Sequence, residues 1–277
     1  MREDYFRATI LGCGSSGGVP RPGGLDGAGD WGACDPGEPR NRRTRCSLLM
    51  ERGGPAGATR ALIDTSTDLR AQLLAAACPS IDAVLYTHDH ADQAHGIDDL
   101  RAFALARRSR VPVYMDAQTK RSLVARFGYC FEQAPGSLYV PILDARDMPA
   151  CGEPFAIDGA GGAIPVIAFK QEHGGAPSLG FRFGDIAYSS DVVGLPPESF
   201  EVLGGVRTWI VDALQMKPHK THAHLELTLA WIARVRPERA ILTNLHVSMD
   251  YASLRASLPE GVEPAFDGMV VEGSARS

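Results

Sequence analysis

The sequence has no excess of basic charge, no paired cysteines and no long apolar run, and each absence removes a class of function. Its 277 residues carry 28 Lys and Arg against 33 Asp and Glu, a formal net charge of −5, so there is no global positive field to hold a polyanion. Any anion has to be met by a local cluster. No stretch approaches the ~20 apolar residues of a membrane span. The six cysteines, Cys13, Cys34, Cys46, Cys78, Cys130 and Cys151, are scattered without a CxxC or a framework spacing. That pattern suits a reducing compartment. Residues 1–11 are charged and then strand-like, without the apolar core of a signal peptide, and the expected location is the cytoplasm. Repeats with the period of about 20 to 50 residues that marks solenoids are also missing.

What is present is an ordinary globular composition, 44% hydrophobic and 22% charged, in a chain long enough to bury a sizeable core. Residues 6–11 read as a strand leading into Gly12-Cys13-Gly14-Ser15-Ser16-Gly17-Gly18. The letters match the dinucleotide-binding GxGxxG, but that mechanism needs a helix to open at the glycines. Val19-Pro20-Arg21-Pro22-Gly23-Gly24 follows, and its prolines and glycines forbid one. A close-approach turn near an active site is the better reading. Residues 23–46 form a long Gly-, Pro- and Arg-rich loop with Trp31, Cys34 and a basic group of Arg40, Arg42, Arg43 and Arg45.

Beyond it, residues 46–50 and 59–64 read as paired strands around Gly53-Gly54-Pro55, and a helix capped by Ser66 or Thr67 runs to about residue 77. Strands are expected at 81–86, 111–115, 164–170, 179–183, 186–189, 208–212 and 240–245, and helices at 97–107, 118–127 and 225–235. Strands with intervening helices, mixed with strand pairs lacking them, predict two sheets with helices outside.

The chemistry is concentrated in Thr87-His88-Asp89-His90-Ala91-Asp92-Gln93. His88, His90 and Asp92 alternate by two and so project to one side of an extended backbone or turn. Clustering imidazoles with a carboxylate gains nothing for an apolar core, so a metal site is the natural reading. Two histidines cannot close one. Further donors stand near other strand ends: His173 after residues 164–170, Asp191 after 186–189, His222 before the long helix, and His246 after 240–245. Their convergence describes a metallohydrolase.

With these residues in place, the chain resembles the metallo-β-lactamase fold superfamily, whose hallmark is HxHxDH followed by a distant His, a bridging Asp and a last His. The resemblance runs from Gly12 to Phe266-Asp267-Gly268-Met269. It is strongest to the branch containing ribonuclease Z and the cyclic-phosphate phosphodiesterase PhnP, on the glycine loop, Leu62-Ile63-Asp64-Thr65-Ser66, THxHxD and the ending Phe266-Asp267-Gly268-Met269. It implies one α/β domain over residues 1–277, a four-layer αββα sandwich with a metal centre along one edge. By position it also implies a first metal site of His88, His90, His173 and Asp191, and a second of Asp191, Asp92 and residues 93 and 244.

Here the sequence departs from the pattern, since position 93 is Gln and position 244 is Asn. Amides are weak neutral oxygen ligands and hold Zn2+ less well than imidazoles. A harder ion such as Mn2+ or Mg2+ in the second site, His246 swinging in, or a single metal are the three outcomes. The expectation is one tight site for Zn2+ or Mn2+ beside an adapted, weaker second one. The cysteine cluster that binds a structural zinc in PhnP-like relatives is reduced to Cys34, and no structural zinc is expected.

A phosphodiesterase follows from the resemblance and from the chemistry, with a metal-bound hydroxide attacking a small, nucleotide- or sugar-sized, cyclic or linear phosphodiester. Asp92 would hold the nucleophilic water and His222 would protonate the leaving alkoxide. Asp64 would accept a hydrogen bond from a ligand histidine and fix its tautomer. Arg42, Arg43 and Arg45 would grip the anion, and Ser15 and Ser16 would add backbone donors near the metals. A thioester or lactam hydrolase of the same fold, and a non-catalytic PqqB-like carrier, are the alternatives. Stable nucleic-acid binding is disfavoured by the net charge and by the lack of a long arm for gripping tRNA. A homodimer is the default assembly.

Overall fold

Alternation along the first strands decides the architecture. In the computed structural model, which describes residues 4–276, Ile10, Leu48, Met50, Ala61 and Ile63 face one apolar cluster while their neighbours Leu11, Leu49 and Leu62 face another. Period-2 burial on both faces means a sheet covered on both sides. The first three residues of the charged opening, and Ser277, lie outside the described residues.

The amino-terminal half supplies β1 (Tyr5–Gly12), β2 (Ser47–Gly54), β3 (Gly57–Ile63), β4 (Ala83–Leu85), β5 (Val111–Met115) and β6 (Leu143–Asp147). Its helices are α1 (Leu69–Ala75), α2 (Ala91–Ala94), α3 (Arg101–Arg107) and α4 (Ala117–Phe131). The other half supplies β7 (Pro154–Ile157), β8 (Ile164–His173), β9 (Ala176–Phe183), β10 (Ile186–Ser189), β11 (Thr208–Asp212), β12 (Arg239–Thr243), β13 (Val262–Pro264) and β14 (Met269–Glu272). Helices α5 (Pro197–Leu203), α6 (Leu225–Val235) and α7 (Tyr251–Ser257) complete it.

The strands form two seven-stranded sheets, β14-β1-β2-β3-β4-β5-β6 and β13-β12-β11-β10-β9-β8-β7. Between them lies a shared core in which Ile10 and Met50 meet Phe181, Tyr188 and Ile210. Helices α1, α3 and α4 cover the outer face of the first sheet, and α5, α6 and α7 that of the second. This is the αββα sandwich. Fully buried Phe181 and Trp209 are each worth about 2–3 kcal/mol of burial. No helix among the described residues is long and apolar enough to cross a membrane.

Two features position the site. Strands β3 to β6 are mutually parallel, as are β10 to β13, so their carboxyl ends open in common directions. Loops at such ends are where α/β sheets hold ligands. The glycine loop closes the gap between the sheets, because Gly14 bridges both Arg45 and Leu245. A side chain at Gly12 would place its Cβ 2.1 Å from the Arg45 carbonyl, so close backbone approach, not phosphate binding, explains that glycine.

Candidate metal centre

Most of the chemically active side chains stand at or just beyond strand ends, and three of these ends are turned by residues in the left-handed region: Asp64 (φ 61°), Asp191 (φ 51°) and Asn244 (φ 61°). Asp and Asn tolerate this conformation best among residues with a Cβ. It is a strained choice that clusters at functional sites.

His88, His90 and His173 come together, with one ring nitrogen of each within 4.8 Å of the others. His173 is the last residue of β8 rather than part of the following loop. Its Nδ1 lies 2.7 Å from the Thr221 carbonyl oxygen, which can only accept, so Nδ1 carries the proton and Nε2 keeps its lone pair. That Nε2 is 3.3 Å from His90 Nδ1. His88 is oriented through Thr87: the Thr87 hydroxyl donates to Asp64 Oδ2 at 2.8 Å and takes a bond from His88 Nδ1 at 2.9 Å. This leaves His88 Nε2 buried with no partner among the described residues, beside the other two rings. Asp64 therefore acts on the histidine through Thr87, not by the direct hydrogen bond expected from sequence.

Burial and the neighbouring imidazoles hold the His88 pKa well below its usual value, and burial lowers that of His173 against the pull of Asp191. Neutral imidazoles with free Nε2 or Nδ1 lone pairs suit a divalent ion. Asp191 is buried with Oδ1 3.9 Å from His173 Nε2 and 4.0 Å from His222 Nδ1. Burial raises its pKa, offset by His222 and His173.

Beside this group, His222 Nδ1 lies 2.8 Å from Asp212 Oδ2. Asp212 ends β11 and is fully buried, and sequence reading passed over it. Burial pulls the His222 pKa down, but Asp212, helped by Asp191 and Asp92, outweighs it and pushes it up to about 9. Asp92 is half-buried in the first turn of α2, where burial and Asp191 raise its pKa. Gln93 Nε2 donates to Asp191 Oδ2 at 3.0 Å, and Asn244 Nδ2 points at Asp212 Oδ2 at 3.4 Å. Helix α4 braces the histidine run from outside, with Ser122 and Arg126 both bonded to Asp89 and Arg126 3.3 Å from His95.

The remaining expected residues divide. His246 does not join the histidines: it belongs to neither donor group, its Nδ1 is 2.9 Å from Ser248 Oγ, and the charged neighbours acting on it are Arg21, His219 and Asp30. Local pairing with Ser248 wins over a reach toward Asn244. Arg43 turns inward and is 2% exposed, bonding Asn41 Oδ1, because its pairing with Val19 points the side chain toward Cys34. It cannot grip a substrate from the surface. Arg45 is paired with Asp68 at 2.9 Å, while Arg42 stays exposed over the Trp31 ring. The Ser15 amide donates to Leu245, and the Ser16 carbonyl accepts from Arg45, so those groups hold the loop together. Cys34 Sγ lies against the Val247 carbonyl oxygen at 3.3 Å.

Residues 59–244 match the β-lactamase superfamily domain. A crystal structure described as a new diphosphatase from the PhnP family is 30% identical, covers 97% of each chain and superposes with a TM-score of 0.82. The chain belongs to the β-lactamase superfamily and, within it, to the PhnP family. The superfamily fold recurs in Zn2+-bound PqqB from Methylobacterium extorquens, at 19% identity over 96% of this chain and 99% of that one with a TM-score of 0.71. It recurs too in the short form of human tRNase Z, at 16% identity over 96% and 98% with a TM-score of 0.64. A curated relative, named octanoyltransferase, from Porphyromonas gingivalis (strain ATCC BAA-308 / W83) is 30% identical over 270 residues. That match takes in 95% of this chain and 51% of the relative, so the chain spans about half the relative's length.

Proposed function

We propose that this chain is a metal-dependent hydrolase of small phosphoryl substrates, a phosphodiester or diphosphate of nucleotide or sugar size. The observation that carries the reading is the convergence of His88 Nε2, orphaned and buried, with His90 and His173 beside Asp191. Three imidazoles and a carboxylate fit one divalent ion, Zn2+ or Mn2+. When bound, that ion supplies a Lewis acid that polarises a phosphoryl oxygen and makes water a stronger nucleophile. Support for the substrate class comes from the PhnP-family diphosphatase that matches along the whole chain.

The chain's own groups supply the rest. Asp92, half-buried in the first turn of α2 directly after His90, orients the attacking water. With Nδ1 turned to Asp212, whose carboxylate pushes its pKa up, His222 offers an Nε2 proton to the leaving oxygen. Exposed Arg42 meets the anion's outer oxygens. Six free thiols fit a cytoplasmic setting.

The test is hydrolysis of bis(p-nitrophenyl) phosphate and of a nucleoside diphosphate, before and after chelation and with Zn2+ or Mn2+ restored. Activity that disappears on chelation and in His88→Ala supports the reading. A protein inactive with either ion refutes it. The Porphyromonas gingivalis relative favours a second reading, acyl thioester hydrolysis, since an octanoyltransferase by name handles an acyl group. Cleavage of an octanoyl thioester without phosphoryl hydrolysis would select it, and metal binding without either activity would select a carrier.

A further inference from the structure

Next to the three imidazoles lies a second group rich in carboxylates, Asp92, Asp191 and Asp212, the composition that would attract a second cation. One oxygen of Asp191 and one of Asp212, the Oδ2 atom in each case, is already engaged. Asp191 Oδ2 accepts from Gln93 Nε2 at 3.0 Å. Asp212 Oδ2 accepts from His222 Nδ1 at 2.8 Å and from the Val192 amide at 3.2 Å, and faces Asn244 Nδ2 at 3.4 Å. Asn244 Nδ2 lies 3.1 Å from His222 Nδ1, and since both are donors they do not bond each other but converge on Asp212 Oδ2 in one knot. An N–H donor satisfies a buried carboxylate without bringing a second divalent charge, and an N–H cannot ligate a metal.

We propose that the centre is mononuclear: one divalent ion per chain on His88, His90, His173 and Asp191, the adjoining position being closed by Gln93 on Asp191 and by His222 and Asn244 on Asp212. The proposal rests on the hydrolase reading for the presence of that one ion. His222 completes a donor group with His173 and Asp191, but its Nδ1 is committed to Asp212. Two buried acceptors in the knot, Gln93 Oε1 and Asp212 Oδ1, have no partner among the described residues. These are the oxygens a hard ion would have to recruit toward its preferred set of six, which makes Mn2+ the stringent probe.

Equilibrium dialysis of the metal-stripped full chain against excess Zn2+, and separately Mn2+, followed by elemental analysis, gives the stoichiometry without reference to activity. The wild type is expected to saturate at one ion per chain with either metal. The double variant Gln93→His, Asn244→His, which replaces both amide donors by imidazoles, is expected to reach two. A wild type that saturates at two ions of either metal overturns the proposal. A folded double variant that still takes one overturns the role given to the amides. One ion per chain without phosphoryl hydrolysis upholds this proposal and defeats only the hydrolase reading, whereas no bound ion defeats both.

Discussion

Asp212 Oδ2 lies 2.8 Å from His222 Nδ1, joining the end of β11 to the loop before α6 across ten residues of sequence. The carboxylate fixes which ring nitrogen faces the histidine group. Asp212→Asn is expected to lower kcat about 10- to 100-fold on bis(p-nitrophenyl) phosphate while KM moves little, because a reoriented ring still leaves substrate contacts intact. His222→Ala is expected to lose about 100-fold or more, and the double variant no more than His222→Ala alone. Steady-state kinetics of the three variants decide it. A wild-type kcat in Asp212→Asn would refute the positioning role.

The histidine run was legible because alternation by two at a strand end is a pattern within five residues. Asp212 was not, since a lone Asp closing Thr208–Asp212 looks like any turn residue until the fold brings His222 to it. Arg43 was misread for a similar reason: arginine in a loop is usually solvated, and only the pairing with Val19 turns this one inward. The two-sheet sandwich was readable from strands such as Val111–Met115 and Ile186–Ser189, whose bounds the sequence placed correctly. The short edge strands β7, β13 and β14 escaped, as three or four residues carry too little periodicity to see.

Thr87 relays Asp64 to His88: its amide donates to Asp64 Oδ1 at 2.8 Å, and its hydroxyl touches both Asp64 and His88. Thr87→Val keeps the shape and removes the oxygen, so metal affinity is expected to fall about 10- to 100-fold, the range for losing a partner behind a metal ligand. Thr87→Ser is expected to stay near wild type. Competition with a chromophoric chelator reads both; equal affinity for Val and Ser would show that the hydroxyl does not orient His88.

Arg42 and Arg43 are adjacent in sequence and opposite in role. Arg42→Ala is expected to raise KM about fivefold, the loss of one solvent-screened charge contact of ~1 kcal/mol, with thermal stability unchanged. Arg43→Met keeps the buried stem and removes a charge that no carboxylate among the described residues touches, so stability is expected to stay within about 1 kcal/mol of wild type. Arg43→Ala leaves a cavity and is expected to lose about 2–4 kcal/mol. Denaturation of the pair of Arg43 variants separates packing from charge: a large loss in Arg43→Met would mean that the guanidinium itself holds the loop.

Asp267 gives a pH dependence in which two opposed effects compete. Its Oδ1 accepts from the Cys13 amide at 3.0 Å, and its Oδ2 from the Thr44 amide at 2.7 Å and the Thr44 hydroxyl at 2.6 Å. These donors favour the carboxylate, but burial outweighs them and raises the pKa from 3.8 to about 6. The folded chain then binds this proton more tightly than the unfolded one. Between those two values the native state carries more protons, so unfolding free energy falls as pH rises. The stabilisation is fully present below pH 3.8 and lost above about 6. At 1.36 kcal/mol per unit, the loss across the window is about 3 kcal/mol. Asp267→Asn abolishes the titration and adds a pH-independent penalty for the Thr44 bonds it weakens. The wild-type advantage over Asp267→Asn, measured by urea unfolding at a series of pH values, is therefore expected to shrink from pH 4 to 6.5. An advantage that grows across that window would mean that the donors, not burial, set the ionisation of Asp267.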